Sequence, residues 1–86
     1  MDINELIAIV KKKLQDQIII ESIKIEDKSF LHKNHIGNKE GKFHIKISLI
    51  SGQLNKMSKI ESNKKIYKIL SKEMKDYIHS IQILIS

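Results

Sequence analysis

The sequence contains no cysteine, no proline, no tryptophan and no arginine; its basic residues are 16 lysines, and only 3 of its 86 residues are glycine. Without cysteine no disulfide can form, which excludes a small secreted framework held together by cross-links. Any bound metal must be held by His, Asp or Glu, or share thiolates lent by another molecule. Without arginine the planar two-pronged donor used for phosphate and guanine recognition is missing, and lysine does not reproduce it. The net charge of +6 is therefore a weak pointer to nucleic acid. Base-stacking platforms are also scarce, because the aromatics are limited to Phe30, Phe43, Tyr67 and Tyr77. No run of about 18 apolar residues exists, so no segment reads as membrane-spanning. The opening residues MDINEL are acidic, and Lys11, Lys12 and Lys13 follow the first apolar residues rather than preceding them. That order is the reverse of a secretory leader, so the expected location is cytoplasmic.

What is present suits one folded domain. The chain is 41% apolar and 30% charged, within the globular range. A domain of this size hides roughly 60–65% of its unfolded surface, enough for a thin core of one sheet and a few helices.

Apolar residues at Ile3, Leu6, Ile7, Val10 and Leu14 predict a helix over 2–15, with Asp2 or Asn4 as N-cap and the three lysines complementing the dipole at its end. The β-branched stretch 18–26 predicts a strand, and 43–51 alternates Phe43, Ile45, Ile47 and Leu49 against His44, Lys46 and Ser48, predicting a second strand with one buried and one wet face. Residues 51–56 read as a turn. The stripe Ile60, Ile66, Ile69, Leu70, Met74 and Tyr77 predicts one helix over 58–76, whose other side carries a ridge of Lys64, Lys68, Lys72 and Lys75. Residues 78–86 predict a final strand. The order α-β-β-α-β makes an α+β fold, a three-stranded sheet with helices on one face.

The first two strands are joined by a polar loop over about 28–42, near the length above which loops are usually functional or disordered. It carries His32 and His35. The remaining histidines, His44 and His79, read most simply as a wet strand position and as a ring at a helix C-terminus. No nucleophile elbow, phosphate-binding glycine loop or paired helical histidines occur, so no catalytic residue is assigned and the chain is not expected to be an enzyme.

The pieces Asp27-Lys28-Ser29, His32 and His35 with Gly37, FHIKISLIS over 43–51, Ile66-Tyr67 with Leu70, and IHSI over 78–81 follow one another in an order that resembles the BolA family. The likeness spans nearly the whole chain. It departs where the family has R-H-R and this chain has Ser62-Asn63-Lys64, where Ile45 follows the strand histidine in place of Phe, and where the family's F-x-G turn is Leu54-Asn55-Lys56.

The resemblance implies a fold similar to the class II KH domain and a role beside a monothiol glutaredoxin. It further implies that His79 and His32, with His35 as the alternative, act as iron–sulfur ligands in the heterodimer. The implied cofactor is a [2Fe–2S] cluster shared with glutaredoxin and glutathione, and none for the chain alone. Imidazole can replace thiolate on one iron of such a cluster, and mixed ligation of this kind is acid-labile because a protonated ring cannot ligate. A long loop could bring His32 toward His79 only when the partner is present. The alternative expectation is a DNA- or RNA-binding transcriptional regulator using Lys64, Lys68, Lys72 and Lys75. A KH domain clamps backbone with a G-x-x-G loop, whereas Gly37 and Gly41 have the wrong separation and Ser51-Gly52-Gln53-Leu54 lacks the second glycine. A weak homodimer of the apo chain and no membrane partner complete the expectations.

Overall fold

The computed structural model describes residues 1–29 and 42–86. The loop histidines His32 and His35 lie outside the described residues. The elements run α1 (Ile3–Gln17), β1 (Ser22–Asp27), β2 (Phe43–Ile50), α2 (Gly52–Asn55), α3 (Lys59–Ile69), α4 (Ser71–Asp76) and β3 (Ile78–Ile85). The three strands form one sheet in the order β1-β2-β3. β1 lies antiparallel to β2, and β2 parallel to β3. The expected α+β architecture is present, with helices against one face of a mixed sheet.

The core follows from two periodicities. α1 lays Leu6, Val10 and Leu14 against the sheet at four-residue spacing, and β2 contributes Ile45, Ile47 and Leu49 at two-residue spacing. Leu54 of α2, Ile66 of α3, the linking Leu70 and Ile78 complete it. The opposite face carries Lys24, Lys46, Ser48, Gln82 and Leu84, which remain partly or fully exposed.

Several local expectations are corrected. α1 continues to Gln17, so the three lysines lie inside it and its last turn holds no basic residue. Lys12 instead reaches Asp16 at 3.2 Å on the exposed surface, while Lys13 crosses to Glu73 of α4 at 2.7 Å. Asp2 is the N-cap, its carboxylate accepting the Glu5 N–H. The run Ile18–Ile20 does not start the strand. Ile18 caps α1, and the next residue's backbone is held from across the fold: the Ile19 N–H donates to Gln53 Oε1 and its carbonyl accepts the Ser51 hydroxyl.

The expected turn at 51–56 contains the short helix α2, because the buried Ser51 hydroxyl also accepts the Leu54 N–H as an N-cap. The single helix over 58–76 is two helices meeting at Leu70. The junction is a kink rather than an interruption, since the Leu70 N–H still bonds Ile66 O at 3.0 Å and the Met74 N–H bonds Leu70 O at 2.8 Å. Leu70 itself is fully buried.

Candidate functional site

The start of β3 departs from regular pairing. Phe43 lies opposite Ile78, but the next β2 residue, His44, lies opposite Ser80, so His79 is an extra residue on β3. A bulge of this kind re-aims side chains and shifts the in–out alternation by one. The burial pattern records the shift: Ile78 is buried, His79 and Ser80 are both exposed, and Ile81, Ile83 and Ile85 resume the inward positions. The sequence carries the same signal in Ile78 standing three residues before Ile81 and out of phase with the later isoleucines.

The bulge brings two imidazoles together. The rings of His44 and His79 lie 4.9 Å apart between centroids, tilted by 53°. His79 is exposed at the strand entrance. His44 is not the wet position expected for it; it is only 5% exposed. Its Nδ1 lies 2.5 Å from the Ser80 hydroxyl, and its backbone is clamped from the other side. The His44 N–H donates to Ser29 Oγ, the Lys28 N–H donates to the His44 carbonyl, and the Ser29 N–H donates to Asp27 Oδ1. The D-x-S segment at the end of β1 is thus a brace that fixes where the loop leaves the sheet. His44 and Ser80 are the residues that sequence reasoning missed.

The charged groups beside this site belong to the β1 end. The Lys28 ammonium sits 2.8 Å from Glu26, with Lys24 at 3.4 Å. The hydrogen bond from Lys28 and the charge of both lysines hold the Glu26 carboxyl below the usual carboxylate range, against partial desolvation.

Among the described residues no group of three or more His, Cys, Asp or Glu could hold a metal ion. The described residues do offer one exposed ring, His79, beside a second ring whose Nδ1 is engaged by Ser80.

Lys64 and Lys68 are exposed on α3, and Lys72 and Lys75 on α4, so the expected ridge crosses the kink at Leu70. The carbonyl of Lys75 accepts the Lys42 ammonium, which ties the end of the loop to α4. Among the described residues no helix is long and apolar enough to cross a membrane.

Comparison with known proteins supplies the wider relationship. Over 75 residues the chain is 25% identical to a protein of Haemophilus influenzae named DNA-binding transcriptional regulator BolA, covering 87% of this chain and 70% of that protein. Its backbone is similar to the BolA domain of SufE1 from Arabidopsis thaliana, with a TM-score of 0.77, 22% identity, and coverage of 92% of this chain and 87% of that one. BolA1 from the same plant gives a TM-score of 0.75 at 22% identity, over 91% and 86% of the two chains. The solution structure of BolA1 from Mus musculus gives 0.72 at 19% identity, over 90% and 60%. The family described as BolA-like protein matches residues 14–86, and with the α+β fold and the strand-entrance histidine in place, the chain belongs to that family.

Proposed function

We propose that this chain is a non-enzymatic adaptor that pairs with a monothiol glutaredoxin and co-ligates a [2Fe–2S] cluster, in iron–sulfur trafficking or iron homeostasis. The observation that carries the reading is the exposed imidazole of His79, presented at a bulge beside the buried ring of His44. His79 is one ligand, and the loop supplies the other through His32, with His35 as the alternative. The glutaredoxin cysteine and a glutathione thiol complete the site. When bound, such a cluster supplies an exchangeable iron–sulfur unit whose potential is raised by imidazole ligation.

The work of this chain is to present nitrogen. His79 must be neutral to ligate. The bulge turns its ring outward, and Ser80, the next residue, hydrogen-bonds the adjacent His44 instead of competing for the partner. The Ser29 and Lys28 bonds to His44 fix one end of the loop. The loop's other end is held through Lys42 and by the Phe43 N–H donating to the Tyr77 carbonyl.

The test is visible circular dichroism of the two proteins mixed with iron, sulfide and glutathione. A spectrum distinct from that of glutaredoxin alone is expected, and His79→Ala should return it to the glutaredoxin form. A mixture identical to glutaredoxin alone, or one indifferent to His79→Ala, contradicts the proposal.

A second reading draws on the name of the Haemophilus relative and on the exposed lysines of α3 and α4. Here Lys64, Lys68, Lys72 and Lys75 contact phosphates of DNA or RNA. Four phosphate contacts give a log–log salt slope of about −3.6 on duplex DNA. Replacing Lys68 and Lys72 by Gln should flatten that slope by about 2. An affinity indifferent to salt removes this reading.

A further inference from the structure

The two edges of the sheet are built differently. β1 is guarded: Lys24, Glu26 and Asp27 lie along it and Lys28 follows it. Charged edge residues of this kind prevent strand addition. β3 has eight residues, Ile78–Ile85, with no lysine, aspartate, glutamate, proline or glycine among them, in a chain that is 30% charged. Its composition is β-branched and neutral, the pattern that favours pairing with another strand.

Its backbone is also available. The Ser86 N–H donates to the Leu49 carbonyl and the Ser86 carbonyl accepts the Ser51 N–H. In a parallel pair bonding alternates residue by residue, so Ser80, Gln82 and Leu84 face β2 while Ile81, Ile83 and Ile85 turn their N–H and C=O groups to the open edge. Among the described residues nothing hydrogen-bonds those groups on that side. Beside the edge runs a groove in which Leu54 and Met57 meet Ile83 and Ile85, and Leu84 is 44% exposed on the outer face.

We infer that the β3 edge is a self-association surface, where a second copy of this chain adds its own β3 antiparallel to give a continuous six-stranded sheet. The strand is self-complementary about Ile83. In that register Ile83 pairs with its own copy and Ile81 with Ile85 through the free backbone groups. Gln82 faces Leu84 and Ser80 faces Ser86 on the outer side, so no like charges meet. A foreign strand carrying charge finds nothing on β3 to pair with, whereas a second neutral β3 meets its own chemistry. The isoleucines of both copies on the helix side extend the apolar row from one core to the other, alongside Leu54 and Met57. A strand edge and one narrow groove bury less than the roughly 800 Å² per partner of a standard interface, so the dimer is weak and in exchange with monomer. Each copy also carries a net charge of +6, and that repulsion must be screened. This inference does not rest on cluster binding and is tested without iron.

The experiment is sedimentation velocity and amide NMR of the whole chain from about 10 µM to about 1 mM, the range in which small interfaces dissociate. The expected results are a rise toward the dimer sedimentation coefficient, concentration-dependent shifts at the amides of Ile81, Ile83 and Ile85, and tighter association in higher salt. Leu84→Lys, and independently Gln82→Lys, change exposed side chains and should weaken association at least about tenfold by placing guarding lysines on the edge. Ala8→Lys, which adds the same charge on the exposed side of α1, should leave it unchanged. A chain monomeric throughout overturns the inference. So does a dimer indifferent to both lysine variants, a dimer weakened by salt, or one whose shifts fall on β1 or α3 instead.

Discussion

Ile47→Ala is expected to lower stability by about 3–4 kcal/mol and the melting temperature by roughly 15–25 °C. Ile47 is fully buried on the central strand, between Ile25 on β1 and Ile83 on β3, in the same core cluster as Leu6, Val10, Leu14 and Ile66. Removing three carbons there loses their transfer energy and leaves a cavity that neighbours on both strands cannot collapse to fill. The total stability of an 86-residue domain is only about 5–10 kcal/mol, so the variant should lose a large share of its native state near body temperature. Ile50→Ala, at a half-exposed site on the same strand, should change stability by less than about 1 kcal/mol. Urea denaturation of the two variants checks the contrast; similar losses from both contradict the placement of the core.

Lys13→Met is expected to be nearly as damaging, for a different reason. Glu73 is 3% exposed, with Oε2 on the Lys13 ammonium at 2.7 Å and Oε1 buried without a partner among the described residues. Removing the lysine leaves a carboxylate uncompensated in an apolar setting. Loss of one member of a fully buried pair costs about 3–5 kcal/mol, and because the Lys13 side chain is 38% exposed, solvent should reduce this to roughly 2–3 kcal/mol. The double variant Lys13→Met with Glu73→Met should be more stable than Lys13→Met alone, since no buried charge then remains. A double-mutant cycle by urea denaturation decides it. A single variant within about 0.5 kcal/mol of wild type means that the contact contributes no more than a surface pair.

The pair also shows why part of the fold was not legible in the sequence. Lys13 and Glu73 are 60 residues apart, and nothing local marks either for the other. Lys13 reads as a dipole complement only if α1 ends near Gln15, whereas the helix runs on to Gln17. Ser51 and Gln53 likewise act at long range, holding Ile19 and so delaying β1 to Ser22. The elements themselves were legible because their signals are local: four-residue spacing in α1, alternation in β2, and β-branched residues in β3. The kink at Leu70 had no local signal, having neither proline nor glycine.

At the site, His79 was legible through IHSI, which the resemblance to the BolA family singled out. The burial of His44 was not, since strict alternation assigns it to the open face. What changes its environment is the extra residue on β3, which brings His79 and Ser80 against it. That bulge was readable from the phase of the isoleucines around 78–81, a signal that periodicity finds only when each strand is checked for a slip. His32 and His35 lie outside the described residues, so the second nitrogen donor rests on the sequence.

The central claim is that His79 lends a nitrogen to iron held jointly with a glutaredoxin. Its most direct test is pulsed electron paramagnetic resonance on the reduced mixed cluster, assembled from this chain labelled with nitrogen-15 at histidine and an unlabelled glutaredoxin. Hyperfine coupling from labelled imidazole nitrogen is expected, with one component lost in His79→Ala. A cluster that shows no labelled nitrogen, or a coupling that persists unchanged in His79→Ala, contradicts it.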